Sequence, residues 1–121
     1  MTGSGVSPVD RAALDRLRRL GGEPLLARML DLFLENSVRR MEAARTGRRD
    51  GDLEAVAHAV HSLKSTAANV GAHRLHHVAE QVEILADRRD RDGVAGRFAE
   101  LESVFAAARA RLALERSELP V

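Results

Sequence analysis

Apolar side chains recur along this chain at intervals of three and four, the period of one helix face, and no segment alternates with period two. The first signal is Ser7-Pro8-Val9-Asp10, with Ser7 as a cap, Pro8 in the first helical position and an acid in the first turn. It predicts a short helix to about Leu20, stopped by Gly21-Gly22. Pro24 opens a second helix whose stripe is Leu26, Met29, Leu30, Phe33, Ser37 or Val38, and Met41, with Asp31, Glu35, Arg39 and Glu42 on the other side. Thr46 to Gly51 reads as a polar, glycine-flanked turn, and Asp52 as the cap of a helix carrying Leu53, Val56, Val60, Leu63 and Ala67. Gly71 ends or bends that helix. Leu75, Val78, Ala79, Val82, Leu85 and Ala86 mark the next one, and beyond an Asp90-Gly93 turn a last helix buries Val94, Phe98, Leu101, Phe105, Ala108 and Leu112.

Four long amphipathic helices joined by short turns cover one another's apolar faces most simply as an antiparallel bundle. The expected fold is therefore all-α: an up-down four-helix bundle with a short additional N-terminal helix across one end. At 121 residues the chain suits one domain over 1–121, with a core burying roughly two-thirds of the unfolded surface; residues 1–6 and 117–121 are expected to fray. One bundle can bury its own stripes, so a monomer is expected.

Composition narrows the function. There is no cysteine, which removes disulfides, thiolate metal sites and cysteine nucleophiles, and fits a cytoplasmic protein. No apolar run approaches the 18 or so residues of a membrane span, and Met1 to Gly5 lacks the basic and apolar regions of a leader. Nineteen basic residues against eighteen acidic leave a formal charge of +1, with both signs interspersed. With no Trp or Tyr and three Phe, neither the charge footprint nor the stacking platforms of a nucleic-acid binder are present.

The chemistry-bearing feature is His61. On a wheel of 100° per residue it lies roughly 110° from the centre of its helix's apolar stripe, so its ring emerges at the edge of the core. Ala57, Lys64, Ser65, Ala68 and Ala72 fall within roughly 60° of it. Small side chains would let a partner's surface approach the ring, and the ammonium one turn along can hold an anion there. An imidazole is nucleophilic only when neutral; a nearby cation disfavours imidazolium and favours a dianionic phosphoryl group. Taken singly, a helix histidine is an ordinary surface residue and Lys64 an ordinary solvated lysine.

The segment His61-Ser62-Leu63-Lys64-Ser65-Thr66-Ala67-Ala68-Asn69-Val70-Gly71-Ala72 closely resembles the active helix of histidine-containing phosphotransfer (HPt) domains, whose signature runs roughly His-x-Leu-Lys-Gly-Ser-Ala-x-x-hydrophobic-Gly-Ala. It departs from the pattern only at Ser65 and Thr66. Leu20-Gly21-Gly22-Glu23-Pro24 with Leu25-Leu26 and Leu32-Phe33-Leu34 resembles the family's entry into its first long helix, and Gly51-Asp52-Leu53 the lead-in to the histidine helix. The resemblance implies a phosphohistidine carrier. The outer ring nitrogen of His61 would attack an aspartyl phosphate on a receiver domain and later yield the phosphoryl group to a second receiver, with Lys64 steadying the adduct. Receiver domains and a sensor or hybrid histidine kinase are the implied partners. The acidic pocket and Mg²⁺ would come from the receiver, with no cofactor intrinsic to the chain; the sequence has no Walker loop and no Gly-x-Gly-x-x-Gly. It would be a phosphotransfer intermediate without an ATP site of its own, and the unlinked ends favour a free-standing protein.

The expected docking surface is Ala57, His58, Ser65, Ala68, Asn69 and Ala72, with Ser65 standing where the family usually has glycine. His58 reads as a polar flank able to tune the site, and Gln81 and Glu83 of the next helix are further candidates whose rotation the sequence does not fix. Two other readings remain: an adaptor bundle of the same fold without the chemistry, and a metal-binding bundle. For the latter, His73, His76 and His77 share one face at spacings of three and four, where two imidazoles can bind Zn²⁺ or Ni²⁺. No carboxylate or cysteine obviously completes that set, and surface histidines are the plainer reading. Arg48-Arg49 and Arg88-Arg89 read as solvated loop charge.

Overall fold

The computed structural model describes residues 7–121. Four helices account for nearly all of them: α1 Arg11–Asp50, α2 Leu53–Asn69, α3 His73–Asp87 and α4 Arg91–Ser117. Each packs on the next, and α4 returns against α1 to close the ring. The predicted stripes meet in the middle. Leu26, Leu30, Phe33 and Met41 of α1, Val56, Val60 and Leu63 of α2, Leu75 and Val82 of α3, and Leu101 and Leu112 of α4 are all at or near zero exposure. Each such side chain contributes about 1.5–3 kcal/mol relative to an exposed one. Among the two candidates for the middle of the α1 stripe, Ser37 is the buried one, and its hydroxyl has no hydrogen-bond partner.

The expected short N-terminal helix is the first arm of α1. Gly21 (φ −147°, ψ 15°) and Gly22 (φ 73°, ψ −171°) leave helical space, so the ladder breaks at a kink without opening into a loop. The start of this arm differs from expectation: the cap is Asp10, whose carboxylate accepts from the Ala12 N–H at 3.0 Å. Ser7 instead accepts from Val9 N–H, ahead of the helix. The cause is a tether, because the Asp10 N–H donates to the Gly71 carbonyl at 2.8 Å and Val9 is buried. The helix can begin only after that attachment to the α2–α3 turn. Across the same end, Arg11 of the arm and Arg111 of α4 both bind the buried Glu115 carboxylate. The arm is thus fastened over one end of the bundle by backbone, apolar and ionic contacts.

The segment from Thr46 to Gly51 is not a turn, for α1 stays helical to Asp50. Polar residues in and beside it serve the packing of α1: Arg45, just before it, forks onto Glu102 of α4 at 2.7 and 2.8 Å, and Arg48 within it lies 5.1 Å over the Phe98 ring. Gly47 is buried against Val56 and the Asp52 carbonyl, and Gly51 closes the helix, its N–H reaching the Arg48 carbonyl at 3.2 Å. Asp52 caps α2 as expected, accepting from the Ala55 N–H at 3.0 Å, and Asp90 does the same for α4 through Gly93. Past Ser117 the tail is held by Arg116, which donates to the Val121 carbonyl and to Asp31, each at 2.8 Å. The expected fraying of residues 1–6 lies outside the described residues. No helix among those described is long and apolar enough to cross a membrane.

Candidate functional site

Helix α2 buries Leu53, Val56, Val60, Leu63 and Ala67, and that stripe fixes where everything else on the helix points. His61 falls outside it, with 60% of its side chain exposed. The neighbouring helix α3 buries Leu75, Val78, Ala79, Val82 and Ala86, which turns Glu83 toward α2. There one carboxylate serves two donors: Oε2 accepts from His61 Nδ1 and Oε1 from Lys64 Nζ, each at 2.8 Å. The Lys64 and Glu83 side chains are only 20% and 17% exposed, so their pair is largely sheltered from water while the ring beside it is open.

The electrostatics follow from this sharing. Partial burial pushes the Glu83 carboxyl up, but hydrogen bonds from Lys64 and His61 outweigh it and hold it below the usual carboxylate value. Glu83 is therefore ionised near neutrality and accepts only, which places the proton on Nδ1 of His61. The lone pair is left on Nε2, the outward nitrogen. The hydrogen bond to Glu83 likewise raises Lys64 above its ordinary 10.5 against the opposing effect of burial, with the charges of Glu83, Glu80 and Asp87 adding to it. Those acids lie on one face of α3 with His76, at successive spacings of four, three and four; this spacing was the available sequence signal for the acidic row.

Lys64 is the only lysine in the chain, the other eighteen basic residues being arginine. Its position is further pinned by His76, whose Nδ1 donates to the Lys64 carbonyl at 3.1 Å. Of the expected docking residues, His58, Ser65 and Asn69 are exposed and Ala57 and Ala68 half-buried along α2. Ala72 does not join them. Helix α2 ends at Asn69, and Ala72 is fully buried as the cap residue ahead of α3, so the α2 wheel does not extend to it. Thr66 is occupied within its own helix, its hydroxyl donating to the Ser62 carbonyl.

The two α3 candidates separate. Glu83 is in the site, whereas the Gln81 amide donates to His77 Nε2 at 3.1 Å. The three histidines of the metal-binding alternative go to three different partners: His77 to Gln81, His76 to the Lys64 carbonyl, and His73 Nε2 to Asp10 at 3.1 Å. Among the described residues no group of three or more His, Cys, Asp or Glu side chains is placed to hold a metal ion.

An exposed imidazole with its inner nitrogen held by a carboxylate, beside a lysine, sits on the second helix of a four-helix bundle. The sequence profile of the Hpt domain matches residues 28–115 of this chain. The chain belongs to the Hpt domain family. Membership makes it a histidine carrier of a phosphorelay. Its fold is also that of solved Hpt structures. Histidine-containing phosphotransfer protein B (HptB) from Pseudomonas aeruginosa PAO1 superposes with a TM-score of 0.83 at 27% identity, covering 90% of this chain and 94% of that one. A rice protein described as a histidine-containing phosphotransfer protein gives a TM-score of 0.77 at 22% identity, covering 90% of this chain and 79% of that one, a likeness of fold. No curated protein sequence matches the chain. The arm at Arg11 to Leu20 lies outside the residues matched by the Hpt profile, and the His61, Lys64 and Glu83 constellation lies within them.

Proposed function

We propose that His61 is the phosphoryl acceptor of this Hpt domain and that its partners are response-regulator receiver domains fed by a sensor or hybrid histidine kinase. The observation that carries the reading is the 2.8 Å contact of His61 Nδ1 with Glu83 beneath an otherwise open ring. The Nε2 lone pair attacks the phosphorus of a receiver's aspartyl phosphate; the N–P bond forms as the P–O bond to the aspartate breaks, and the aspartate carboxylate leaves with that electron pair. The ring becomes cationic, and its Nδ1 proton stays in the hydrogen bond to Glu83. Transfer onward reverses these steps with a second receiver. Such transfer asks mainly for in-line approach and charge neutralisation, so the receiver brings the acidic pocket and Mg²⁺ while this chain brings the nucleophile and the Lys64 ammonium.

The docking surface in this reading is Ala57, His58, Ser65, Ala68 and Asn69, whose small or polar side chains leave room around the ring. A dry centre around the transferring group with a modest contact area suits a transient signalling pair. The carrier acts as a monomer in the cytoplasm. The test is transfer from a phosphorylated receiver with Mg²⁺: an acid-labile, alkali-stable phosphate forms on the wild type and on Ser65→Gly, and none on His61→Gln. Equal radiolabel on the His61→Gln variant refutes the assignment.

A further inference from the structure

Glu83 holds both the nucleophile and the only lysine, and these two bonds have different fates once a phosphoryl group arrives. The Nδ1 bond is compatible with a group on Nε2, because the two nitrogens lie on opposite sides of the ring. The Lys64 bond is not neutral to it. In the free protein the ammonium is at 2.8 Å from Glu83 Oε1, on the Nδ1 side, whereas a phosphoryl dianion sits on the Nε2 side. An ammonium shared between two anions gives each of them less than it would give one alone.

Resting on the reading that His61 is the acceptor, we infer that Glu83 is a positioning residue that sets the transfer equilibrium by competing with the phosphoryl group for Lys64. Phosphorylation draws the Lys64 arm from Glu83 to Nε2, and the work of that exchange makes the phosphohistidine readier to pass its group on. Sequence composition supports the need for a movable cation. Eighteen of nineteen basic positions are arginine and this one alone is lysine. A lysine is a compact charge on a flexible four-carbon stem, and leaves one carboxylate for another anion readily. An arginine in its place would fork across both oxygens of Glu83 and stay there. Glu80 and Asp87, on the same face of α3, add their charge at Lys64 and act in the same sense as Glu83.

The experiment measures the equilibrium distribution of radiolabel between the carrier and a receiver domain with Mg²⁺ for wild type, Glu83→Gln, Lys64→Arg and the double variant, with His61→Gln as the blank. Glutamine keeps an oxygen for the Nδ1–H, giving the exposed cationic ring a weaker acceptor than the carboxylate, and releases the whole ammonium to the dianion; the second effect outweighs the first in this reading, so Glu83→Gln is expected to shift the distribution toward the carrier about fivefold and to lengthen the phosphohistidine half-life. Lys64→Arg is expected to shift it toward the receiver, and adding Glu83→Gln to reverse that loss. Thermal melts of each variant establish that it is folded. A distribution unmoved or lowered by Glu83→Gln, or a Lys64→Arg defect that Glu83→Gln does not relieve, overturns the competition while leaving the relay assignment standing. Label on wild type no greater than on His61→Gln overturns both.

Discussion

Replacing Ser37 by alanine should stabilise this protein. Ser37 sits in the middle of α1 at zero exposure, surrounded by the apolar core, and its hydroxyl meets neither a backbone carbonyl nor another side chain. A buried polar group left unpaired costs about 1–3 kcal/mol. Alanine removes that cost and adds roughly 0.5 kcal/mol of helix propensity; against this stands the lost packing of one oxygen atom, about 0.5 kcal/mol. The net expectation is a gain of about 2 kcal/mol. For a chain of this length the unfolding entropy near the midpoint is about 0.25 kcal/mol/K, so Tm should rise by about 8 °C. Thermal unfolding followed by circular dichroism at 222 nm, with a urea titration to check that m is unchanged, measures it. A loss of stability in Ser37→Ala would refute the reasoning, since it would mean that the hydroxyl is paired in solution.

Two further outcomes follow from other parts of the molecule. A Cβ at Gly71 (φ 75°) would lie 2.6 Å from the Ala13 Cβ and 3.1 Å from the Asp10 carbonyl, so Gly71→Ala should cost about 2–4 kcal/mol and release the crossing arm. Hydrogen exchange should then show lost protection over residues 11–20 with the α2–α3 core retained, and unchanged protection of the arm would count against its tether. Acid should loosen the fold in a defined sense. Asp10 is held low by the Ala12 N–H and then His73, Glu102 by Arg45, and Glu83 by bonds that outweigh its burial. Their contributions are complete above the ordinary carboxylate range and are lost as pH falls below about 4 through the depressed values. Lys64, shifted up, contributes fully below its ordinary 10.5 and loses that contribution only as pH rises through its raised value. Tm against pH should fall on the acid side and flatten there in Asp10→Asn, Glu83→Gln and Glu102→Gln; an acid limb identical to wild type in all three would show that these contacts are not formed.

Much of this was legible in the sequence because periodicity is a direct image of burial. The α2 and α4 stripes are buried at every expected position, and Asp52 and Gly71 mark the ends of the α2 segment. Local composition misled where tertiary contacts overrode it. Thr46 to Gly51 has the residues of a turn, yet Arg45 and Arg48 find Glu102 and Phe98 on α4 and the helix continues. Ser7-Pro8 has the residues of a cap, yet the Asp10 N–H is claimed by Gly71, sixty-one positions away in the chain, a pairing no local window contains. The site divides the same way. His61 and Lys64 share one helix and one motif, so their proximity is written in their spacing. Glu83 completes the site from another helix, and its rotation depends on how the α3 stripe packs, which no sequence window contains and which alone distinguishes it from Gln81.

The three groups that make the site belong to one helical hairpin. His61 and Glu83 are twenty-two residues apart, joined through the short turn at Val70 to Ala72, and the His76 bond to the Lys64 carbonyl latches the two helices in register at the same level. Closing a loop of that size costs a folding chain little entropy, and contacts of short sequence separation favour fast folding. The candidate site is therefore contained within one local hairpin, and the long first helix and its crossing arm contribute no group to it. Damage to those distant parts should change how long the protein lives far more than how its histidine reacts.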